Sequence, residues 1–196
     1  MFIIGITGGT GAGKSSAVKS LQELGAQLLD CDVIYHELLS SNTGMINEIY
    51  VYFNDIKTNG KIDRRKLAKI VWENPKALDE LNRITHKYVD NEINKRIKDL
   101  KSRGTKIVAI DAIALIESGQ DKKCDIVVGI ISSIETRLSR IISRDGLTEE
   151  QALKRIKAQQ SESFYRDNCQ YILENQYETQ AEFEKKCIEF FKEIIL

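Results

Sequence analysis

The chain has 196 residues, enough for one domain with an appended subregion and a properly buried core. Lys plus Arg and Asp plus Glu number 29 each, so no global field draws the chain to nucleic acid or to an anionic membrane, although local basic clusters can still bind phosphates. No stretch approaches the roughly 18 apolar residues of a membrane span, and the apolar start is too short for a secretory h-region. Cys31, Cys124, Cys169 and Cys187 lie far apart with no C-x-x-C spacing, and read as buried or spectator thiols of a cytoplasmic protein.

Phe2, Ile3, Ile4 and Ile6 form a short apolar run suited to a buried parallel strand. It runs directly into Gly8-Gly-Thr-Gly-Ala-Gly13-Lys14-Ser15, a complete G-x-x-x-x-G-K-S loop. Ala17, Val18, Leu21 and Leu24 then recur at helical spacing, and Gly25 stands where the helix stops. Glycines allow backbone angles that turn successive N–H groups toward one point, making an anion nest at a helix N-terminus. Lys14 brings a positive charge to the β- and γ-phosphates, and the Ser15 hydroxyl can ligate Mg²⁺. This arrangement reads as a nucleoside triphosphate site.

Ala26–Asp30 reads as a second strand, closed by Asp30-Cys31-Asp32. An acid at such a strand end can accept a proton from an attacking hydroxyl or hold Mg²⁺ through water; it can equally cap the helix that begins near Val33. Substrate contact is the favoured reading for Asp32, capping for Asp30. From about residue 33 to 103 the pattern is nearly all helical. Asn74-Pro75 is a helix start, and Leu78, Leu81, Ile84, Tyr88, Val89, Ile93, Ile97 and Leu100 follow at three- and four-residue steps.

Strands resume at Lys106–Asp111 and Asp125–Ile131, with a weaker one at Tyr171–Leu173. Asp111 is either a Walker-B acid holding a metal-bound water or a simple strand terminator. Ser132 and Ser133 precede Glu135 as a capping-box signature. In the following helix Arg137, Arg140 and Arg144 share one face, either to neutralise a transferring phosphoryl group or as a solvated basic surface. Residues 148–160 form a basic helical segment with little apolar face beyond Ala152, Leu153 and Ile156, either a lid or an exposed helix. His36 and His86 are not spaced as a metal pair, so no zinc site is expected.

Strands alternating with helices imply an α/β chain: a three-layer parallel-sheet P-loop NTPase fold with a helical substrate-binding insertion and a helical lid. The expected division is a nucleotide-binding core of residues 1–32 and 104–196, with its lid at about 145–168, and a helical acceptor domain of 33–103.

These segments together resemble the dephospho-CoA kinase family nearly end to end. Gly5-Ile-Thr-Gly-Gly-Thr-Gly-Ala-Gly-Lys-Ser is similar to its G-L-T-G-G-I-G-S-G-K-S opening, and Leu29-Asp-Cys-Asp32 to its D-A-D segment. Gly60-Lys-Ile-Asp-Arg64 with Leu67 resembles G-x-I-D-R-x-x-L, and Ile84-Thr-His86 matches I-x-H-P except that Lys87 replaces proline. Arg140, Arg144-Asp145, Gln159 and Asn175 fall where the family has its lid arginines, a glutamine and a late asparagine near the adenine. Two departures stand out: P-L-L-x-E reads Ile113-Ala-Leu-Ile-Glu117, and the A-D pair before the late strand reads Cys169-Gln170.

The resemblance implies ATP-dependent phosphorylation of the ribose 3′-hydroxyl of dephospho-CoA, the last step of coenzyme A synthesis. It implies that Asp32, Lys14 and Arg140 are catalytic, with Asp32 as base. ATP would be held by Gly9, Thr10, Gly11, Ala12, Gly13, Lys14, Ser15 and Ser16 with Arg140, Arg144 and Asn175, and Mg²⁺ by Ser15. The acceptor would be held by Thr7, Asp32, Arg64 and His86. The partner is then a small molecule, with no nucleic acid or membrane, and the protein a monomer or weak homo-oligomer. The alternative is another small-molecule or nucleoside monophosphate kinase. A GTPase switch would need N-K-x-D, and Asn94-Lys-Arg-Ile97 lacks the acid; a dinucleotide site would need G-x-G-x-x-G, which Thr10 and Lys14 interrupt.

Overall fold

The computed structural model describes residues 1–58 and 60–195. In chain order the elements are β1 (Phe2–Thr7), α1 (Lys14–Glu23), β2 (Gln27–Asp30), α2 (Cys31–Ser41), α3 (Thr43–Tyr52), β3 (Lys57–Thr58), β4 (Lys61–Ile62), α4 (Arg64–Glu73), α5 (Pro75–Ser102), β5 (Ile107–Asp111), β6 (Ile126–Ile131), α6 (Ile134–Asp145), α7 (Glu149–Lys157), α8 (Glu162–Asn168), β7 (Tyr171–Glu174) and α9 (Gln180–Ile195). They fall into two compact units: Met1–Leu29 with Leu100–Leu196, and Asp30–Asp99. The boundary between the units falls at the end of β2, whose last residue, Asp30, is also the first of the helical unit.

The first unit is built on a five-stranded sheet in the order β2-β5-β1-β6-β7. Pairing is parallel along β1–β5, β1–β6 and β6–β7, with Ile4 opposite Ala109 on one side and Ile126 on the other. Strand side chains alternate between faces, so Ile4, Ile6, Ala109, Val128, Ile130 and Leu173 meet Ala17, Leu21, Phe183 and Phe191 from α1 and α9 in one core. Gly5 faces the other way, where a side chain would strike Leu115 and Cys124 within 2.8 Å. Both faces of β1 are therefore covered, which is why its sequence is a continuous apolar run.

The second unit is helical. Asn74 starts α5 as expected, its side chain accepting from the N–H groups of Lys76 and Ala77. The apolar stripe buries Leu81, Ile84, Val89 and Ile93, while Leu78 stays exposed. The expectation of an almost wholly helical stretch needs one correction, because β3 and β4 form a short antiparallel hairpin. Two-residue strands are too short to show a period of two.

A capping detail is also corrected. Ser133, not Ser132, caps α6, its hydroxyl accepting from the Thr136 N–H; Ser132 instead donates to the Asn175 carbonyl. Glu135 sits one position too early for the reciprocal bond, and the capping box occurs at α7 between Thr148 and Gln151.

Candidate active site

β1 ends at Thr7, and the chain turns through Gly8, Gly11 and Gly13 with φ of 142°, 81° and 113° into α1. A side chain on Gly8 would lie 2.2 Å from the Ile130 carbonyl oxygen, so only glycine brings the loop this close to β6. Gly13 precedes α1 without any side-chain cap, and no acid occupies the helix's first turn. The head of α1 thus has no side-chain cap; the Ser16 N–H turns back to the Gly13 carbonyl at 3.1 Å, and the N–H groups ahead of it form a cradle for an anion.

Lys14, the first residue of the helix, places Nζ 2.8 Å from Asp111 Oδ1, at the end of β5. Each side chain is about one-seventh exposed. Of the two readings for Asp111, the strand terminator alone no longer suffices, because its carboxylate is the counter-ion of the loop lysine. Ser15 is exposed at the same helix start, and Ser16 is buried beneath it.

The loop is gripped from behind. Asn175 Nδ2 donates to the Ala12 carbonyl at 3.0 Å, and Arg140 bonds the Gly11 carbonyl, Asn175 Oδ1 and the Tyr177 carbonyl at 3.2–3.3 Å. Arg137 Nε donates to the Thr10 carbonyl at 2.9 Å, and Gln159 bonds both the N–H and the hydroxyl of Thr10. Burial pulls the pKa of both Arg137 and Arg140 below the ordinary arginine value. Arg144 does not share this arrangement. It is exposed and grips Asp145 at 2.6 Å, and Arg155 reaches the same carboxylate at 2.6 Å. The Arg144 hydrogen bond, ahead of the two arginine charges, holds the Asp145 carboxyl down at about 2. Of the three arginines aligned by spacing, two meet the loop and one closes onto Asp145, the last residue of α6.

Thr7, expected beside the acceptor, is fully buried, and its hydroxyl donates to the Ile113 carbonyl at 2.9 Å. It therefore anchors the departing Ile113 segment to the strand. The other departure, Cys169-Gln170, also has a structural role: Gln170 Oε1 accepts from the Val127 N–H at 2.7 Å, and the Cys169 side chain faces Gly129. Burial raises the thiols of Cys124 and Cys187 to about 12 and that of Cys169 to about 11, which disfavours the thiolate at each. Arg137 and Gln159 were singled out in the sequence, one by its place on the arginine face and the other by the resemblance, but their bonds to Thr10 were not; the i, i+3 pairing of Arg137 with Arg140 was the available signal.

In the helical unit Asp30 is the cap of α2, Oδ1 accepting from the Val33 N–H at 2.9 Å. Asp32 is left exposed in the first turn. Asp63 caps α4 through the N–H groups of Arg65 and Lys66, which projects Arg64 to within 2.8 Å of the His36 ring nitrogens. Burial, helped by the Arg64 charge, pushes the His36 imidazole below its ordinary 6.5. A cleft of about 390 Å³ opens here, with Leu39, Leu67, Ala68, Val71 and Leu81 as apolar lining and Tyr35, His36, Arg64 and Arg65 as polar groups. His86 lies partly buried on α5 and is not among the lining residues.

The residues fit a magnesium nucleotide. The cradle, Lys14 and the Ser15 hydroxyl suit phosphate oxygens and a hard cation. Among the described residues no three His, Cys, Asp or Glu side chains cluster as a metal site of their own. That donor set suits an ion held mainly by phosphates and water.

A sequence model of the dephospho-CoA kinase family matches residues 2–181. The dephospho-CoA kinase of Fusobacterium nucleatum is 38% identical over 197 residues, covering 100% of this chain and 99% of that protein. Among solved structures, the dephospho-CoA kinase of Campylobacter jejuni superimposes with a TM-score of 0.71 at 26% identity, covering 98% of this chain and 96% of that one. A Thermus thermophilus protein reaches 0.84 at 26% identity, with 100% and 98% covered. A P-loop with Lys14 at its helix start, set in a parallel α/β sheet, and a match spanning both units place this chain in the dephospho-CoA kinase family.

Proposed function

We propose that the chain transfers the γ-phosphoryl group of ATP to the ribose 3′-hydroxyl of dephospho-CoA, giving CoA and ADP. One observation carries this reading: the family match runs from the phosphate loop through the helical unit to residue 181, so it spans donor and acceptor halves alike. In the reaction the bond between the γ-phosphorus and the β,γ-bridging oxygen breaks, a bond to the 3′-oxygen forms, and the hydroxyl proton leaves to a carboxylate.

Lys14 and the N–H groups at the start of α1 would hold the β- and γ-phosphates, and Ser15 and Asp111 are the residues that would hold Mg²⁺ with them. Bound magnesium supplies neutralising charge on the phosphate oxygens. Arg140 and Asn175, joined behind Ala12, support the nucleotide, while Arg144 reaches it only after releasing Asp145. Asp32 accepts the hydroxyl proton; with Asp30 serving as the helix cap, its carboxylate is available for that task. The cleft beside Arg64 and His36 suits an acceptor that combines anionic phosphates with a less polar arm.

The test is ADP release in a coupled assay with dephospho-CoA, AMP, CMP, shikimate and gluconate offered in turn. Turnover specific to dephospho-CoA supports the reading; turnover indifferent to it, or faster with a nucleoside monophosphate, overturns it.

A further inference from the structure

We propose that Arg137 and Gln159 are positioning residues for phosphoryl transfer, acting through Thr10, whose hydroxyl they orient to donate to the terminal phosphoryl group. The inference rests on the kinase reading above.

The three residues form a closed set of hydrogen bonds. Gln159 Oε1 accepts from the Thr10 N–H at 2.9 Å and from Arg137 Nη2 at 2.7 Å, and Gln159 Nε2 donates to Thr10 Oγ1 at 2.7 Å. Arg137 Nε completes the set on the Thr10 carbonyl at 2.9 Å. Two donors converge on one side of the Gln159 amide, so its orientation is determined by the network. The whole of Thr10 is therefore specified: peptide N–H, carbonyl and hydroxyl each have an assigned partner. Because Oγ1 accepts from Gln159, the hydroxyl's own proton must be donated elsewhere. Thr10 is half-buried between Gly9 and Gly11, in the loop that holds the phosphates.

Arg137 adds charge to geometry. It is 9% exposed, and its described side-chain bonds go to a carbonyl and an amide oxygen, not to a carboxylate. A buried guanidinium without a carboxylate keeps its full field. It lies against Gly9, where a side chain would come within 2.3 Å of Nη2, so the glycine at position 9 makes room for this cation. An oriented donor and a fixed charge matter most where negative charge is greatest, on the terminal phosphoryl group during transfer. Their loss should be felt there and not in holding ADP.

The experiment compares Thr10→Val, which removes the hydroxyl at constant shape, with Thr10→Ser, which keeps it, and adds Gln159→Leu and the Thr10→Val/Gln159→Leu double variant. Affinity for ADP and for a non-hydrolysable ATP analogue is measured by calorimetry, and kcat and KM for ATP by coupled assay. We expect Thr10→Val and Gln159→Leu each to lose about tenfold in kcat and in analogue affinity, the worth of one charge-assisted hydrogen bond. ADP affinity should stay within about twofold, Thr10→Ser should restore most of the loss, and the double variant should be no worse than Gln159→Leu alone. Thr10→Val as active as Thr10→Ser, ADP affinity falling in parallel with the analogue, or additive losses would each overturn the proposal. Because calorimetry needs no acceptor, the affinity outcomes are readable even if dephospho-CoA is not the substrate.

Discussion

Lys14 Nζ and Asp111 Oδ1 lie 2.8 Å apart, although 97 positions separate the two residues in sequence. The pair ties the loop lysine at the head of α1 to the end of β5. We expect a bound phosphate to share or take over that lysine, and the Asp111 carboxylate then to bond water around a bound cation. Lys14→Met should lower kcat by about 10²–10³-fold, the usual cost of losing a main charge stabiliser. Asp111→Asn should instead shift the magnesium requirement upward by about tenfold. Titrating turnover against Mg²⁺ in both variants checks the difference; an unchanged magnesium profile in Asp111→Asn would leave it a purely structural partner of Lys14.

Asp30 and Asp32 are two residues apart and should respond to mutation in opposite ways. Asp30→Ala removes a helix cap and should cost about 1 kcal/mol of stability with little change in turnover. Asp32→Asn should leave stability nearly unchanged, since the side chain is exposed, and lower kcat by about 10²–10⁴-fold if it is the base. Urea titration and single-turnover rates measured side by side separate the two roles. Turnover that survives in Asp32→Asn within a few-fold would remove the base assignment.

Gly8→Ala should destabilise the sheet unit. Its φ of 142° disfavours any side chain, and the new carbon would sit 2.2 Å from the Ile130 carbonyl oxygen. Strain and overlap together should cost about 3 kcal/mol, visible as a lower urea midpoint. Gly25→Ala offers a control. It has a positive φ but nothing within 4 Å, so it should cost about 1 kcal/mol from backbone strain alone.

His36 gives the helical unit a pH dependence whose sign follows from its depressed pKa. Well above 6.5 the ring is neutral folded or unfolded and has no effect. As pH falls through 6.5 the unfolded chain takes up the proton first, so stability declines until the folded ring is also protonated. The groups facing the ring are Arg64, which opposes protonation, and Asp32 and Asp30, which favour it. Melting temperatures at pH 7.5 and 5.5 should therefore differ less in His36→Gln than in the parent protein. An equal drop in both would show that other groups govern this range.

Much of the chain is legible from local pattern alone. A run of apolar residues with no polar alternation, a glycine-rich turn and a helix with Lys and Ser at its start are consecutive in sequence, so the phosphate loop and β1 could be read directly. The 28-residue α5 was equally plain, because its stripe repeats over many turns and its start has its own cap. The β3–β4 hairpin was not, since two residues per strand carry no period.

The sequence by itself determined that this protein carries a phosphate loop leading into a helix N-terminus beside a parallel sheet, because every part of that device lies within one short segment. What surrounds the device was decided by tertiary structure. Thr10 meets Gln159 across 149 positions and Asn175 meets Ala12 across 163, and spacing along the chain carries no information about such contacts. The same holds for the arginines. A three- and four-residue repeat places Arg137, Arg140 and Arg144 on one helix face, but only packing put the first two against loop carbonyls and left the third to Asp145. Helical periodicity sets a direction around one axis; what lies in that direction depends on where the other elements fold.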